Sequence, residues 1–397
     1  MGILKKFFIL LIITFSFGEL TRIQFPNSVA ITLNDIVVFI FVGVWLIFKL
    51  VGKRRFNKPS LLFPILIFFL VTVLSLFINA FKLSLNELAV SSLYCLRWVV
   101  YAGLYFALSD LNIKFGNKSK FILAIPVVVI LLAGYVQYLL YPNLGNLYYL
   151  GWDEHLYRMF GVFLDPNFAG VFFVLSLIYL ISLLLQGTKI KQWKWAFLAS
   201  IAGLNLIAVY LTYSRTALIA LVIGILILSF YKINKRILTV VLMLLFLLVL
   251  VIPKSFKTEG TNLFRSVSIE QRIKSGEVAF SIFKDNPIFG VGFDAYRYYQ
   301  KSHGYLGGQY WDVTHAGSGA DNSYLFILAT TGIVGFTAYL YLLYRMFLIG
   351  KAKKSNLKYF ACASLAVFCV SGLFINVLFY TFLMEWIWIV FALTENS

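Results

Sequence analysis

The chain has 397 residues, of which 61% are hydrophobic and 13% charged, and its mean hydropathy is +0.88. Soluble domains carry about 25% charged residues, and disordered chains need low hydrophobicity with high charge, so both classes are excluded. Three cysteines exclude a disulfide-stapled secreted domain, which leaves a polytopic membrane protein.

Apolar stretches able to cross about 30 Å of hydrocarbon fall near residues 3–20, 33–51, 60–79, 88–108, 121–141, 167–186, 195–213, 216–231, 237–252, 322–348, 359–378 and 380–394. They predict an all-α integral membrane fold of about 12 transmembrane helices. Lys5-Lys6 before an apolar run looks like a signal peptide, but Phe17-Gly18-Glu19-Leu20 is a poor cleavage site, so the first stretch reads as an uncleaved span. With Lys5 and Lys6 inside and each span changing sides, the inner segments hold 21 of the 34 Lys and Arg. Of the 16 acidic residues they hold only Asp110 and Glu395. This is the positive-inside bias; it places both termini in the cytoplasm and the protein in the cell membrane. Basic turns against anionic lipid account for the net charge of +18, and no nucleic-acid partner is expected. Cys95, Cys362 and Cys369 fall inside spans, where they read as small buried hydrophobes.

Without a linker or low-complexity segment, residues 1–397 read as a single membrane domain. Two outer loops are long: Pro142 to Pro166, and a large extracytoplasmic loop over 253–321, which carries seven of the 16 acidic residues. Ser268 to Lys284 in the large loop reads as an amphipathic helix, with Ile269, Ile273, Phe280 and Phe283 as its apolar stripe. Ser268 with Gln271 fits a capping box, Asp285-Asn286-Pro287 stops the helix, and Gly290 and Gly292 make a tight exit. Such a helix lies on the outer face of the bundle or at the interface. The aromatic run Tyr296, Tyr298, Tyr299, Tyr305, Tyr310 and Trp311 suits an interfacial belt or stacking against sugar rings.

Arg215 sits in Tyr213-Ser214-Arg215-Thr216-Ala217, the polar punctuation between spans seven and eight. Near membrane depth it is either a snorkelling interfacial charge or a guanidinium for a phosphate-like anion. Arg97, in mid-span, is either a site residue or the partner of Asp35 or Glu87. Arg158 and Asp165-Pro166-Asn167 border the shorter loop, as does Asp153-Glu154-His155, which would need further ligands to bind a metal. Arg265, Arg272, His315, Asp321 and Asn322 are candidates in the large loop. A histidine takes a proton from a hydroxyl near neutral pH, and the glycines of Thr314-His315-Ala316-Gly317-Ser318-Gly319 favour bringing His315 over the membrane mouth. No Walker loop, zinc spacing or nucleophile elbow is present, and Gly290-Val291-Gly292 lacks the strand–helix setting of a dinucleotide loop.

Three stretches in order carry a resemblance: Phe163-Leu164-Asp165-Pro166-Asn167; Ser214-Arg215-Thr216-Ala217; and Asp285-Asn286-Pro287-Ile288-Phe289-Gly290-Val291-Gly292-Phe293, followed by Asp321-Asn322-Ser323-Tyr324-Leu325 and Ala329-Thr330-Thr331-Gly332-Ile333-Val334-Gly335. Over residues 150–345 the chain resembles the O-antigen ligase and O-antigen polymerase superfamily of bacterial envelope enzymes. The resemblance implies a GT-C-like fold of about twelve spans with one large outer loop. It also implies metal-independent chemistry without a cofactor, and a glycan donor carried on undecaprenyl diphosphate. Arg215 matches the turn arginine that engages the diphosphate, and Arg272 best matches the loop arginine. Where the family often has a His-Asn pair, this chain has Asp321-Asn322, with His315 six residues earlier, so the base is either His315 or Asp321.

The expected activity is therefore an inverting glycosyl transfer from undecaprenyl diphosphate to a glycan or lipid-linked acceptor outside the membrane. Arg215 and Arg272 hold the diphosphate, Arg97 and Arg158 line its path, and Asn167 and Asn322 contact substrate. The alternative is a transporter or flippase for a lipid-linked anionic glycan, which shares the spans and arginines but does not need a large ordered loop.

Overall fold

The computed structural model describes residues 2–25, 29–52, 59–111, 121–185, 192–231, 258–263, 266–307, 311, 317–352 and 357–396. Among them run α1 (Gly2–Phe15), α2 (Leu33–Val51), α3 (Leu62–Asn79), α4 (Leu85–Asp110), α5 (Ala124–Leu140), α6 (Pro166–Leu184), α7 (Gln192–Leu211), α8 (Arg215–Tyr231), α9 (Val267–Asp285), α10 (Tyr296–Ser302), α11 (Ser323–Ala352), α12 (Leu357–Ser371) and α13 (Thr381–Glu395). A short hairpin, β1 (Ile23–Gln24) with β2 (Ala30–Ile31), joins α1 to α2 and pairs Ile23 with Ile31. Helices α2, α3, α4, α6, α7 and α11 are long and apolar enough to cross a membrane, and α5, α8 and α12 contribute shorter apolar helices. The ninth expected stretch, 237–252, lies outside the described residues; every other one coincides with a helix.

Helix α6 is apolar all round and buried all round, the pattern of a central helix. It packs against α7, α8 and α12, while α13, buried from Phe382 to Thr394, packs along α4. The outer helices turn residues such as Phe39, Ile47, Leu70 and Phe77 outward, as a surface facing acyl chains does. Lipid gives apolar helices no solvent-driven reason to associate, so close backbone approach matters. A Cβ at Gly170 of α6 would come within 2.7 Å of the Ala217 Cβ, so glycine is what seats α8 against α6.

Local chemistry sets the helix starts. Thr32 with Asp35 and Ser84 with Glu87 form reciprocal capping boxes that open α2 and α4. The box expected from Ser268 and Gln271 does not form. Helix α9 begins at Val267, Ser266 occupies the cap position without a side-chain bond, and Ser268 already lies inside the first turn. The expected stop at Asp285-Asn286-Pro287 is where α9 ends.

Helix α11 is interrupted at Gly332, whose φ of 66° and ψ of −166° break the helical run. The segment after α9 fits into the break. Val291 and Gly292 donate their N–H groups to the carbonyls of Ala329 and Thr330, and Ile333 and Val334 donate to Pro287 and Ile288. From α3, Ser75 Oγ donates to Phe289 O at 2.6 Å and to Thr330 O at 2.8 Å, and Asn79 Nδ2 donates to Gly290 O at 3.0 Å. Irregular backbone within an apolar bundle persists only when its polar groups are paired this way. The glycines read as a tight exit are thus half of an interlock, and the span read as continuous over 322–348 is a broken helix.

Candidate active site

A cavity of about 750 Å³ is bounded by the β1–β2 hairpin, α4, the loop before α6, and α9 with the segments that follow it. Its walls are built from the sequence motifs. Asp165 caps α6, its Oδ1 accepting from the Asn167 N–H at 2.6 Å and the Phe168 N–H at 3.3 Å, and Pro166 takes the first helical position, where it has no N–H to lose. Ser214 precedes α8; its hydroxyl donates to Asn167 Oδ1 at 3.0 Å and accepts from the Ala217 N–H at 3.4 Å. Arg158 is buried and donates from Nε to the Thr212 carbonyl at 2.9 Å, which holds the loop before α6 to the α7–α8 turn.

Arg215 starts α8 and is half-buried. Arg272 reaches across from α9 to the next residue of that turn, with Nη1 at 3.4 Å from Thr216 Oγ1. Among the described residues no carboxylate lies within 4 Å of Arg272. Burial lowers its pKa from the ordinary value; Asp321 and Asp165 oppose that, while Arg215 pushes the same way. Asp321 responds in kind, although its surface is exposed: the protein packed around it raises its carboxyl, Arg272 opposes, and Asp165 and Asp153 add to the rise. Arg272 and Asp321 therefore lie together on the wall of the cavity, with Arg215 close enough behind Arg272 to act on its charge. Such an arrangement receives an anion next to a proton acceptor.

A second group lies elsewhere on the same wall. Arg97 Nη2 donates to Asp35 Oδ2 and to Ala30 O, each at 2.6 Å, and Tyr101 donates to Asp35 Oδ1 at 2.8 Å. Of the two partners offered for Arg97, the structure has Asp35; Glu87 is engaged in capping α4. Nearby, Asp294 adopts a left-handed backbone, with φ of 60°. Burial pushes its carboxyl up to about 7, against the pull of Arg297 and Arg97. Sequence reasoning did not single out Asp294. Its signal was available: a carboxylate in the second position after Gly292, inside an otherwise apolar motif.

The remaining expected residues fall as follows. Asn167 lines the cavity and also braces Ser214. Asn322 caps α11, accepting from the Tyr324 and Leu325 N–H groups and donating to Leu373 O. Its side chain is thus committed to the fold, as is the Nε of Arg158. His315 and Arg265 lie outside the described residues. His155 Nε2 stands 3.9 Å from Asp165 Oδ2, and among the described residues no three His, Cys, Asp or Glu side chains gather as metal ligands would.

Apolar spanning helices and a half-buried charged cavity define a multi-pass membrane protein with a polar site. Residues 200–340 match the family model described as O-Antigen ligase, so this part of the chain is similar to that family. The matched stretch contains Arg215, Arg272, Asp321 and both halves of the interlock. No curated protein matches the chain.

Proposed function

We propose that the protein transfers a glycan from undecaprenyl diphosphate to a glycan or lipid-linked acceptor on the outer side of the cytoplasmic membrane, in bacterial surface-polysaccharide biosynthesis. The observation that carries this reading is the convergence of Arg215 and Arg272, with Arg272 lining the cavity and, among the described residues, without a carboxylate within 4 Å. As the acceptor oxygen attacks the anomeric carbon, the bond to the diphosphate breaks on the opposite face and the centre inverts. The departing diphosphate gains negative charge, and fixed guanidiniums in a partly dry site stabilise that charge as it develops. The acceptor hydroxyl gives its proton to Asp321 or His315, a step that contributes roughly 10²–10⁴-fold. The reading needs no metal, because the two arginines take the part a cation plays elsewhere.

The test is transfer of a radiolabelled glycan from undecaprenyl diphosphate by Arg215→Ala protein whose thermal unfolding is unchanged. The expected result is loss of new glycosidic product, while the unaltered protein works in EDTA. Undiminished transfer contradicts the reading. Label that crosses the bilayer without a new glycosidic bond assigns the protein to the flippase class instead.

A further inference from the structure

The group around Asp294 is unlike the group around Arg272. Among the described residues, nothing donates a hydrogen bond to the Asp294 carboxylate, and no cation lies within 4 Å of it. It nevertheless sits on the cavity wall in a backbone conformation that L-residues rarely adopt. Half-buried carboxylates without donors are costly, and strained backbone of this kind concentrates at functional sites. Two of the neighbouring cations are matched by acids: Arg97 pairs with Asp35 at 2.6 Å and Arg22 with Glu19 at 3.2 Å. A matched group repels an added anion about as much as it attracts one, so this region does not suit the diphosphate. It does offer hydrogen-bond acceptors and donors side by side, which vicinal hydroxyls need. Tyr94 and Tyr298 line the same cavity, with the Arg97 guanidinium over the Tyr94 ring at 5.3 Å, and aromatic rings of this kind suit the C–H side of a sugar. Arg272 and Asp294 both line the cavity, from α9 and from the segment that follows it.

We propose that Asp294, Arg297 and Arg97, with the rings of Tyr94 and Tyr298, form a subsite for an uncharged sugar residue of the transferred or receiving glycan. The proposal rests on the reading of the protein as a glycosyltransferase that uses a lipid diphosphate. Asp294 accepts hydrogen bonds from two sugar hydroxyls, and Arg297 donates to a neighbouring one.

The experiment measures three affinities for the purified full-length protein: bare undecaprenyl diphosphate, the lipid-linked oligosaccharide extracted from cells lacking this protein, and the free oligosaccharide released from that lipid by mild acid. Asp294→Asn and Arg297→Gln are compared with the unaltered chain and with Arg272→Gln. The unaltered protein is expected to bind the lipid-linked oligosaccharide about tenfold more tightly than the bare lipid, the scale of one charge-assisted hydrogen bond. Asp294→Asn and Arg297→Gln remove that advantage and leave bare-lipid affinity intact, which also shows that the variants fold. If the loss appears with the lipid-linked form, the subsite holds the donor sugar; if it appears with the free oligosaccharide, the acceptor sugar. Equal loss of bare-lipid affinity, or no change with either sugar-bearing probe, overturns the subsite. Failure of the unaltered protein to bind bare undecaprenyl diphosphate overturns the underlying reading instead.

Discussion

The hydroxyl of Ser214 donates to the side-chain oxygen of Asn167 across 3.0 Å, and this bond ties the start of α6 to the start of α8. The same hydroxyl caps α8, so it fixes the position from which Arg215 leaves the turn. Ser214→Ala removes both bonds. Loss of a serine cap costs about 1 kcal/mol, and the orphaned Asn167 oxygen adds to it. Thermal unfolding in detergent is expected to fall by a few degrees, and Asn167→Ala is expected to fall less, because the cap survives. Equal unfolding temperatures for the three proteins would show that the strut contributes nothing.

The interlock between α11 and the segment after α9 makes a sharper demand. A Cβ at Gly332 would meet the Ile288 carbonyl oxygen at 2.2 Å, and the residue has a φ of 66°. Gly332→Ala is therefore expected to prevent stable folding. Ser75→Ala keeps the backbone but withdraws a donor from the Phe289 and Thr330 carbonyls. It should cost about 1–3 kcal/mol, the range for unsatisfied buried groups. Chemical denaturation of both variants checks the order; a fully stable Gly332→Ala protein would contradict the broken-helix geometry.

The Arg97–Asp35 pair is part of the scaffold as well as the cavity wall. Removing one member of a partly buried pair strands the other and costs up to about 3–5 kcal/mol, the figure for full burial. Arg97→Gln is expected to destabilise strongly, and Arg97→Gln with Asp35→Asn to recover most of the loss. A double variant no more stable than the single one would show that the two charges are uncoupled.

Asp294 gives a prediction in pH. Its carboxyl rises from 3.8 to about 7 on folding, chiefly through burial. Between those values the folded chain holds a proton that the unfolded chain has released. The stabilisation is therefore full below about pH 4 and is lost as pH rises through 7. The unfolding temperature of the unaltered protein, relative to Asp294→Asn, is expected to fall over that window. A difference that is flat or rises with pH contradicts it.

Much of the scaffold could be read from hydropathy, because an apolar stretch of spanning length has few alternatives to a helix. The polar punctuation at Asp165-Pro166-Asn167 and Ser214-Arg215 was legible for a related reason: charges at membrane depth need a purpose. What stayed hidden depends on contacts between distant segments. Nothing local distinguishes Gly290-Val291-Gly292 as a tight turn from the same residues filling a break in α11. The Ser75 and Asn79 side chains that complete the interlock look like ordinary polar residues within a span. Ser268 and Gln271 had the spacing of a capping box, but the helix started a residue before Ser268, so the pattern lost to its context. Asp294 carries only a weak local mark, because its importance comes from the cavity around it. Local motifs thus mark Arg215 and Arg272 as candidates, and only tertiary structure brings Arg272 to Thr216.

The most direct test of the central claim is a double-mutant cycle on undecaprenyl diphosphate affinity, using Arg215→Gln, Arg272→Gln and the double variant in detergent-purified protein. Each single change is expected to weaken binding by about tenfold or more, on the scale of a lost charge-assisted hydrogen bond. The double variant is expected to lose a different amount from the product of the singles, because the two guanidiniums act on one ligand. Unchanged affinity in both single variants would contradict the account.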